Sequence, residues 1–237
     1  MIKYERQQNI LSVLQKKHFC TISDLAKSVY TSESSVRRDI EFLEKNGYVY
    51  KIYGGVVLAE YKNSIVPVSL RDGANSFVKD KLASAAVKHI YNNMTIIMDG
   101  SSTVMRICKY LDRFSGLKII TNNQRIFEEY SDKNIQFYCT GGRFLNSNKV
   151  FVGKTAEDFI NGISADILFF SSQAISENGE ISDMSEEENS IRKVMLKRAK
   201  KKIMLCDSSK IGQTKTFKLC DKEDVDIFIS DTTLPWK

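Results

Sequence analysis

Apolar positions at the start of the chain recur at helical spacing. Over Tyr4 to Lys16, Ile10, Val13 and Leu14 follow Arg6 and Gln7 by one turn, which predicts an amphipathic helix ended by Lys16-Lys17-His18. Ser23 is the expected cap of a short second helix that turns Leu25 and Val29 inward. A polar turn, Tyr30 to Glu33, leads to a third helix over 34–45. Here Val36, Ile40 and Leu43 are spaced by four and three, and Asn46-Gly47 supplies a left-handed stop. Tyr48 to Leu58 then holds two β-rich runs divided by Gly54-Gly55, which predicts a hairpin.

Residues 59–75, with Pro67 and Gly73, lose this periodicity and read as a linker. From residue 77 onward, strand-like apolar runs at 95–99, 117–121, 135–140, 165–171, 202–207 and 225–231 alternate with helical segments. Those helices fall near 79–91, 102–111, 123–131, 153–163 and 185–200. Such alternation predicts a mostly parallel sheet covered on both faces. The expected fold class is α/β: a winged helix-turn-helix over 1–58, a linker over 59–75, and a mostly parallel α/β domain over 76–237.

Composition adds exclusions. The chain has 237 residues, 42% hydrophobic and 27% charged, with 12 Gly and 2 Pro, which is ordinary for a globular protein. No apolar run approaches the ~18 residues of a membrane span, and Met1 to Arg6 is charged from the start, against a secretory signal. The five cysteines are scattered without a Cys-x-x-Cys pair, so neither a disulfide framework nor a zinc knuckle is indicated, and a reducing cytoplasm is the expected location. Net charge is +6, and half of that excess lies in residues 1–57, which hold nine cations and six anions. A basic first quarter suggests a polyanionic partner.

The third helix buries Val36, Ile40 and Leu43, leaving Ser34, Ser35, Arg37 and Arg38 to project. Small hydroxyls permit close approach to a groove, and arginines reach phosphates or the edge of guanine. By itself this could be a solvated helix face; the flanking turn, with Thr31 and Ser32, and the hairpin, with Lys51 and Tyr53, turn the balance towards double-stranded DNA. In the second part, Asp99-Gly100-Ser101-Ser102-Thr103 ends a strand and opens a helix. Free N–H groups and hydroxyls there suit a phosphate, although a plain helix cap would look the same. Polar clusters recur at Thr121-Asn122, at Gly141-Gly142-Arg143 and at Asp207 to Lys210, and would converge on one crevice. With only two histidines, His18 and His89, no Ser-His-Asp set or histidine metal site can be assembled there. The acids Glu186 to Glu188 and the basic run Lys197 to Lys202 read as ordinary ends of one helix, with a solvated C-terminal turn.

Thr31 to Ile40, then Leu43-Glu44-Lys45-Asn46-Gly47 and Tyr53-Gly54-Gly55, resemble the DNA-binding signature of the DeoR family of bacterial transcriptional regulators. The remainder resembles that family's sensor domain through Arg71, Lys81, the 99–103 loop, Thr121-Asn122, Gly141-Gly142, Gly153, Asp166, Glu188, Asp207 with Lys210, and Asp231. The resemblance implies a repressor of a sugar-utilisation operon with a sensor fold like ribose-5-phosphate isomerase, used for binding and not turnover. It implies a phosphorylated sugar as effector, no cofactor, and a homodimer or homotetramer on operator DNA. Ser101 and Ser102 depart from the family's usual Gly and Thr, Ser171 and Ser172 stand at small glycine positions, and Tyr53 and Lys51 replace a frequent His and Arg. In this reading Ser101, Ser102 and Thr103 hold phosphate, Lys210 or Arg143 gives the countercharge, and Asp99 and Asn122 take sugar hydroxyls. Glu188, Gly141 and Gly142 complete the expected site. An isomerase-like enzyme with a DNA-binding appendage is the alternative, and a sensor that binds a protein partner is another.

Overall fold

The computed structural model describes residues 3–17, 19–52, 54–58, 75–130 and 135–236. Tyr53, His18, Arg71 and the expected linker, but for Asn75, lie outside the described residues. The chain divides into two compact units, Met1–Val66 and Pro67–Lys237.

In the first unit, α1 (Lys3–Lys17), α2 (Ile22–Ser28) and α3 (Glu33–Lys45) pack around Ile10, Leu14, Leu25, Val36, Ile40 and Leu43. The cap of α2 is Thr21 and not Ser23: its hydroxyl accepts the Asp24 N–H at 3.0 Å, two residues earlier than the apolar pattern suggests. At the end of α3, Gly47 takes φ +75°, its N–H reaches the Glu44 carbonyl, and the Tyr48 N–H reaches that of Leu43. This paired closure fixes the exit of the chain from the helix. The hairpin forms as β2 (Val49–Ile52) and β3 (Gly55–Leu58), and a two-residue strand β1 (Phe19–Cys20) pairs with β3 to complete a small sheet.

The second unit is built on a six-stranded, all-parallel sheet. Its strands are β4 (Thr95–Met98), β5 (Lys118–Thr121), β6 (Gln136–Cys139), β9 (Ala165–Phe170), β12 (Ala199–Cys206) and β14 (Ile227–Ser230), in the order β14-β12-β9-β4-β5-β6. Alternate residues serve opposite cores. Ile97, Leu168, Phe170 and Met204 face α7 (Lys154–Asn161) and α8 (Glu186–Arg198), while Ile96, Met98, Phe169 and Leu205 face α4 (Ser76–Ala86) and α5 (Ser102–Met105). The expected helix over 102–111 is α-helical only to Met105 and continues as a 3-10 helix to Arg113; α6 (Gln124–Tyr130) follows β5.

Two short antiparallel groups are additional: β7 (Arg143–Leu145) with β8 (Val150–Val152), and β10 (Ala174–Ile175), β11 (Glu180–Asp183) and β13 (Phe217–Asp221). The basic run also differs from expectation. Helix α8 ends at Arg198, and β12 opens at Ala199 and takes in Lys200 to Lys202, because Ala199, Lys201 and Lys202 pair in register with Ala165, Ile167 and Leu168. Lys200 bonds Asp166 at 2.9 Å, and the Asp166 carboxylate also accepts the Thr95 N–H, so both stabilise the amino ends of the strands.

The order of strands places the site. The chain builds β4, β5 and β6 in one direction, then returns to the other side of β4 to lay down β9, β12 and β14. The reversal lies between β4 and β9, and their carboxyl ends are where open parallel sheets hold ligands.

Candidate functional site

Helix α3 presents its polar face from a well-tied base. Ser32 caps it, accepting the Ser35 N–H, and its hydroxyl lies 3.0 Å from those of both Ser34 and Ser35. Arg37 and Arg38 are exposed. Arg37 is 3.6 Å from Glu33 across one turn, whereas the Arg38 Nε donates only a long bond, 3.4 Å, to the Ser34 carbonyl. Thr31 is half-buried, and its N–H closes the preceding turn on the Ala26 carbonyl. Lys51 on β2 is held by Glu44: its Nζ lies 2.9 Å from one carboxylate oxygen and its N–H donates to the other. Those bonds hold the Glu44 carboxyl below the usual range. Beneath this face Asp39 is fully buried and accepts from Arg6 Nε at 2.5 Å and Gln7 Nε2 at 3.2 Å, joining α1 to α3.

In the second unit the 99–103 loop lies at the reversal point. Asp99 has no exposure, and its carboxylate accepts the Ser101 N–H, the Ser171 N–H and Arg192 Nε, at 3.0, 3.1 and 3.1 Å. The structure therefore employs Asp99 to join the ends of β4 and β9, a different task from the sugar contact anticipated for it. The α5 cap is Ser101, whose hydroxyl accepts the Val104 N–H. Ser102 and Thr103 are buried in the first turn, and an added Cβ at Gly100 would collide with Val150.

Two cations stand here, one at the loop and one at the end of β9. Lys79 on α4 is 5% exposed and donates to the Ser102 hydroxyl at 3.2 Å; Lys210 donates to the Ser171 hydroxyl at 2.7 Å. Between them lies Asp207, buried at the end of β12. Burial raises its pKa, but the Lys210 charge, the Ser209 hydrogen bonds and the Lys79 charge outweigh that, so its carboxyl sits below the usual carboxylate range. Lys79 was not among the residues singled out in the sequence, although it shares an apolar helix face with Leu82, Ala83 and Ala86. A lysine on that stripe is the available signal.

The other expected site residues are placed less uniformly. Thr121 is buried and accepts the Asn123 N–H. The Asn122 side chain donates to the Phe151 carbonyl at 2.9 Å, and its buried Oδ1 has no hydrogen-bond partner among the described residues. Gly141 and Gly142 both have positive φ, and a Cβ at Gly142 would come 2.7 Å from the Val152 carbonyl oxygen, so this glycine lets β7 fold against β8. Arg143 is exposed and ion-paired with Glu187, which occupies the countercharge proposed for phosphate. Glu188 is buried, bonded by Asn148 and by Arg192. Arg192 itself bridges Asp99, Asp183 and Glu188. Burial opposes its charge, yet Asp183, Glu188 and Asp99 together raise its pKa above the ordinary arginine value.

Burial also pushes the Cys206 thiol up to about 11 and the Cys220 thiol up to about 12, which leaves both as unreactive core residues. Among the described residues no group of three metal-ligating side chains occurs, and no helix is long and apolar enough to cross a membrane. A cavity of about 630 Å³, lined by Phe114, Gly116, Lys118 and Gln136, opens at the amino ends of β5 and β6, the opposite end of the sheet from the lysines.

Residues 6–62 match the DeoR-like helix-turn-helix domain, and residues 74–232 match the DeoR C terminal sensor domain. The chain belongs to the DeoR family. An uncharacterized HTH-type transcriptional regulator of Haemophilus influenzae is 32% identical over 237 residues, spanning 99% of this chain and 92% of that protein. The HTH-type transcriptional regulator GolR of Listeria innocua is 29% identical over 235 residues, with the same shares of each chain. The lactose phosphotransferase system repressor of Staphylococcus epidermidis is 27% identical over 239 residues, 98% of this chain and 93% of that one. A ribose 5-phosphate isomerase from Plasmodium falciparum superimposes on 57% of this chain and 52% of its own, with 17% identity and a TM-score of 0.42. As a DeoR regulator, the chain carries its DNA-binding elements, α2, α3 and the β2–β3 wing, in the first unit and its sensor in the second.

Proposed function

We propose that this DeoR-family regulator represses a sugar-utilisation operon and that a phosphorylated sugar, bound at the carboxyl end of the six-stranded sheet, relieves or imposes that repression. The observation that carries the reading is the convergence of Lys79 and Lys210 on Ser102 and Ser171 at the β4/β9 reversal point. Two largely buried ammonium groups beside serine hydroxyls, offset in part by the ionised Asp207 that lies 3.7 Å from Lys210, form a site that favours an anion. The lactose phosphotransferase system repressor of Staphylococcus epidermidis and the putative aga operon transcriptional repressor of Escherichia coli O157:H7 support a sugar-related operon. On DNA, Ser34, Ser35, Arg37 and Arg38 enter the major groove, and Lys51 exchanges Glu44 for backbone phosphate. Helix-turn-helix readers engage paired half-sites as dimers, so the working form is a homo-oligomer.

Binding is favoured over turnover by the state of the buried acids. Asp99 and Glu188, the buried carboxylates of the expected site, are engaged by Arg192, and His89 lies on the segment leading into the amino end of β4. The test is a titration of the DNA upstream of this chain's own gene at fixed salt, with and without a panel of sugar phosphates. Tight binding altered by one phosphate supports both halves of the proposal. Absence of binding under every condition overturns the repressor, and turnover of a sugar phosphate would replace it with the enzyme.

A further inference from the structure

We propose that Tyr30, in the turn between α2 and α3, is a DNA-contact residue whose phenol hydroxyl donates to a phosphate at the edge of the major groove. Its backbone has φ +51°, a left-handed conformation that crowds the Cβ of any residue but glycine. The side chain returns nothing to the fold, for it is 95% exposed and takes no part in the apolar core of the unit. The turn is closed by backbone groups: Val29 N–H to the Leu25 carbonyl at 2.9 Å, Tyr30 N–H to that of Lys27 at 3.4 Å, and Thr31 N–H to that of Ala26 at 3.0 Å. None of these needs an aromatic ring. A bulky side chain held in a disfavoured backbone region and directed into solvent is the kind of outlier that marks a binding surface.

Its position identifies the partner. Tyr30 stands two residues before Ser32, the cap of the helix that carries Ser34, Ser35, Arg37 and Arg38. When the first turn of such a helix enters the major groove, the preceding helix crosses the backbone. The connecting turn then lies over the phosphates that border the groove. Tyrosine is among the side chains that supply phosphate contacts, and its reach from a protruding turn exceeds that of the serines beside it. Among the described residues, the other exposed aromatic residues of this unit, Tyr4, Phe42 and Tyr48, lie on α1, late in α3 and just after it, away from that turn, and none has a positive φ.

The test uses the full chain with Tyr30→Gly, which suits the left-handed turn, and Tyr30→Phe, which removes only the hydroxyl. Binding is measured by fluorescence anisotropy at one low salt concentration, both to the chain's upstream DNA and to a duplex of unrelated sequence, with Arg38→Ala as a contrast. Both Tyr30 variants are expected to lose about tenfold in affinity, as for a hydrogen bond to a charged group. The loss should be equal on the two duplexes, because a phosphate contact is blind to sequence, whereas Arg38→Ala should act chiefly on the upstream DNA. Wild-type affinity in Tyr30→Gly would overturn the contact. Wild-type affinity in Tyr30→Phe, or a loss confined to one duplex, would overturn its assignment to a phosphate.

Discussion

Arg38 and Asp39 are adjacent on α3 and have opposite occupations. Arg38 projects from the helix with a long bond to the Ser34 carbonyl, while Arg37 beside it is already near Glu33. Arg38 is therefore the arginine that gives up least on reaching a base edge. Arg38→Ala is expected to weaken specific DNA binding by about 1–3 kcal/mol if it makes a bidentate base contact, and unchanged affinity at matched salt would remove it from the interface. Asp39 works from inside: with Arg6 and Gln7 both donating to it, Asp39→Ala leaves a buried amide and a largely covered guanidinium without their acceptor. The expected cost is about 2–3 kcal/mol of stability in the first unit. A urea titration would read this loss, and a midpoint equal to wild type would show that α1 and α3 do not depend on the clamp.

At the level of elements, α8 does what its own sequence conceals. Glu188 and Arg192 stand four apart on one helix, the spacing of an ion pair along a helix surface. The structure buries both, because β11 brings Asp183 and the end of β4 brings Asp99 to the same guanidinium. Replacing Arg192 by Met leaves three buried carboxylates without their cation, and a loss of about 3–5 kcal/mol is expected in chemical denaturation; a variant as stable as wild type would contradict the central place given to this residue. The same contrast separates what was legible in the sequence from what was not. The parallel strands β4, β5, β9, β12 and the helices between them were evident from continuous apolar runs such as Ile96 to Met98 and Ile167 to Phe170. Strand β11 was not, since its buried positions include Ser182 and Asp183, which carry no apolar signal. Lys79 and Arg192 were missed for a related reason: their meaning comes from long-range partners, whereas the 99–103 loop announces itself locally. Asp207 gives a pH test of these contacts. Its folded pKa is held below the usual carboxylate range, so its contribution is present above the unfolded pKa and is lost as pH falls through the lower folded one. Wild type should therefore lose more stability than Asp207→Asn between about pH 6 and about pH 3; equal losses in urea midpoints would show that Asp207 is not a source of the acid sensitivity.

For the molecule as a whole, the question is how occupancy of one unit is felt by DNA held in the other. An effector changes DNA affinity only by as much as its own affinity differs between the DNA-bound and free states, and the coupling is reciprocal. The phosphate end of that effector can be removed from the account without disturbing DNA contacts, because Ser102 belongs to the second unit alone. Ser102 is 5% exposed, and its hydroxyl already accepts from Lys79. In Ser102→Asp the new carboxylate has that ammonium as a partner, which favours retention of the fold, and it places a negative charge where the phosphate would lie. DNA binding without effector is expected to match wild type, while the sugar phosphate that alters wild-type binding is expected to have no effect on the variant. Anisotropy titrations of the same upstream DNA, with the phosphate varied at constant ionic strength, measure both quantities in one experiment. A variant that binds DNA normally and still responds at the wild-type effector concentration would move the phosphate away from Lys79, Ser102 and Lys210. A variant that fails to bind DNA at all would instead mean that the charge at the β4/β9 reversal point governs the DNA-binding state even without a ligand.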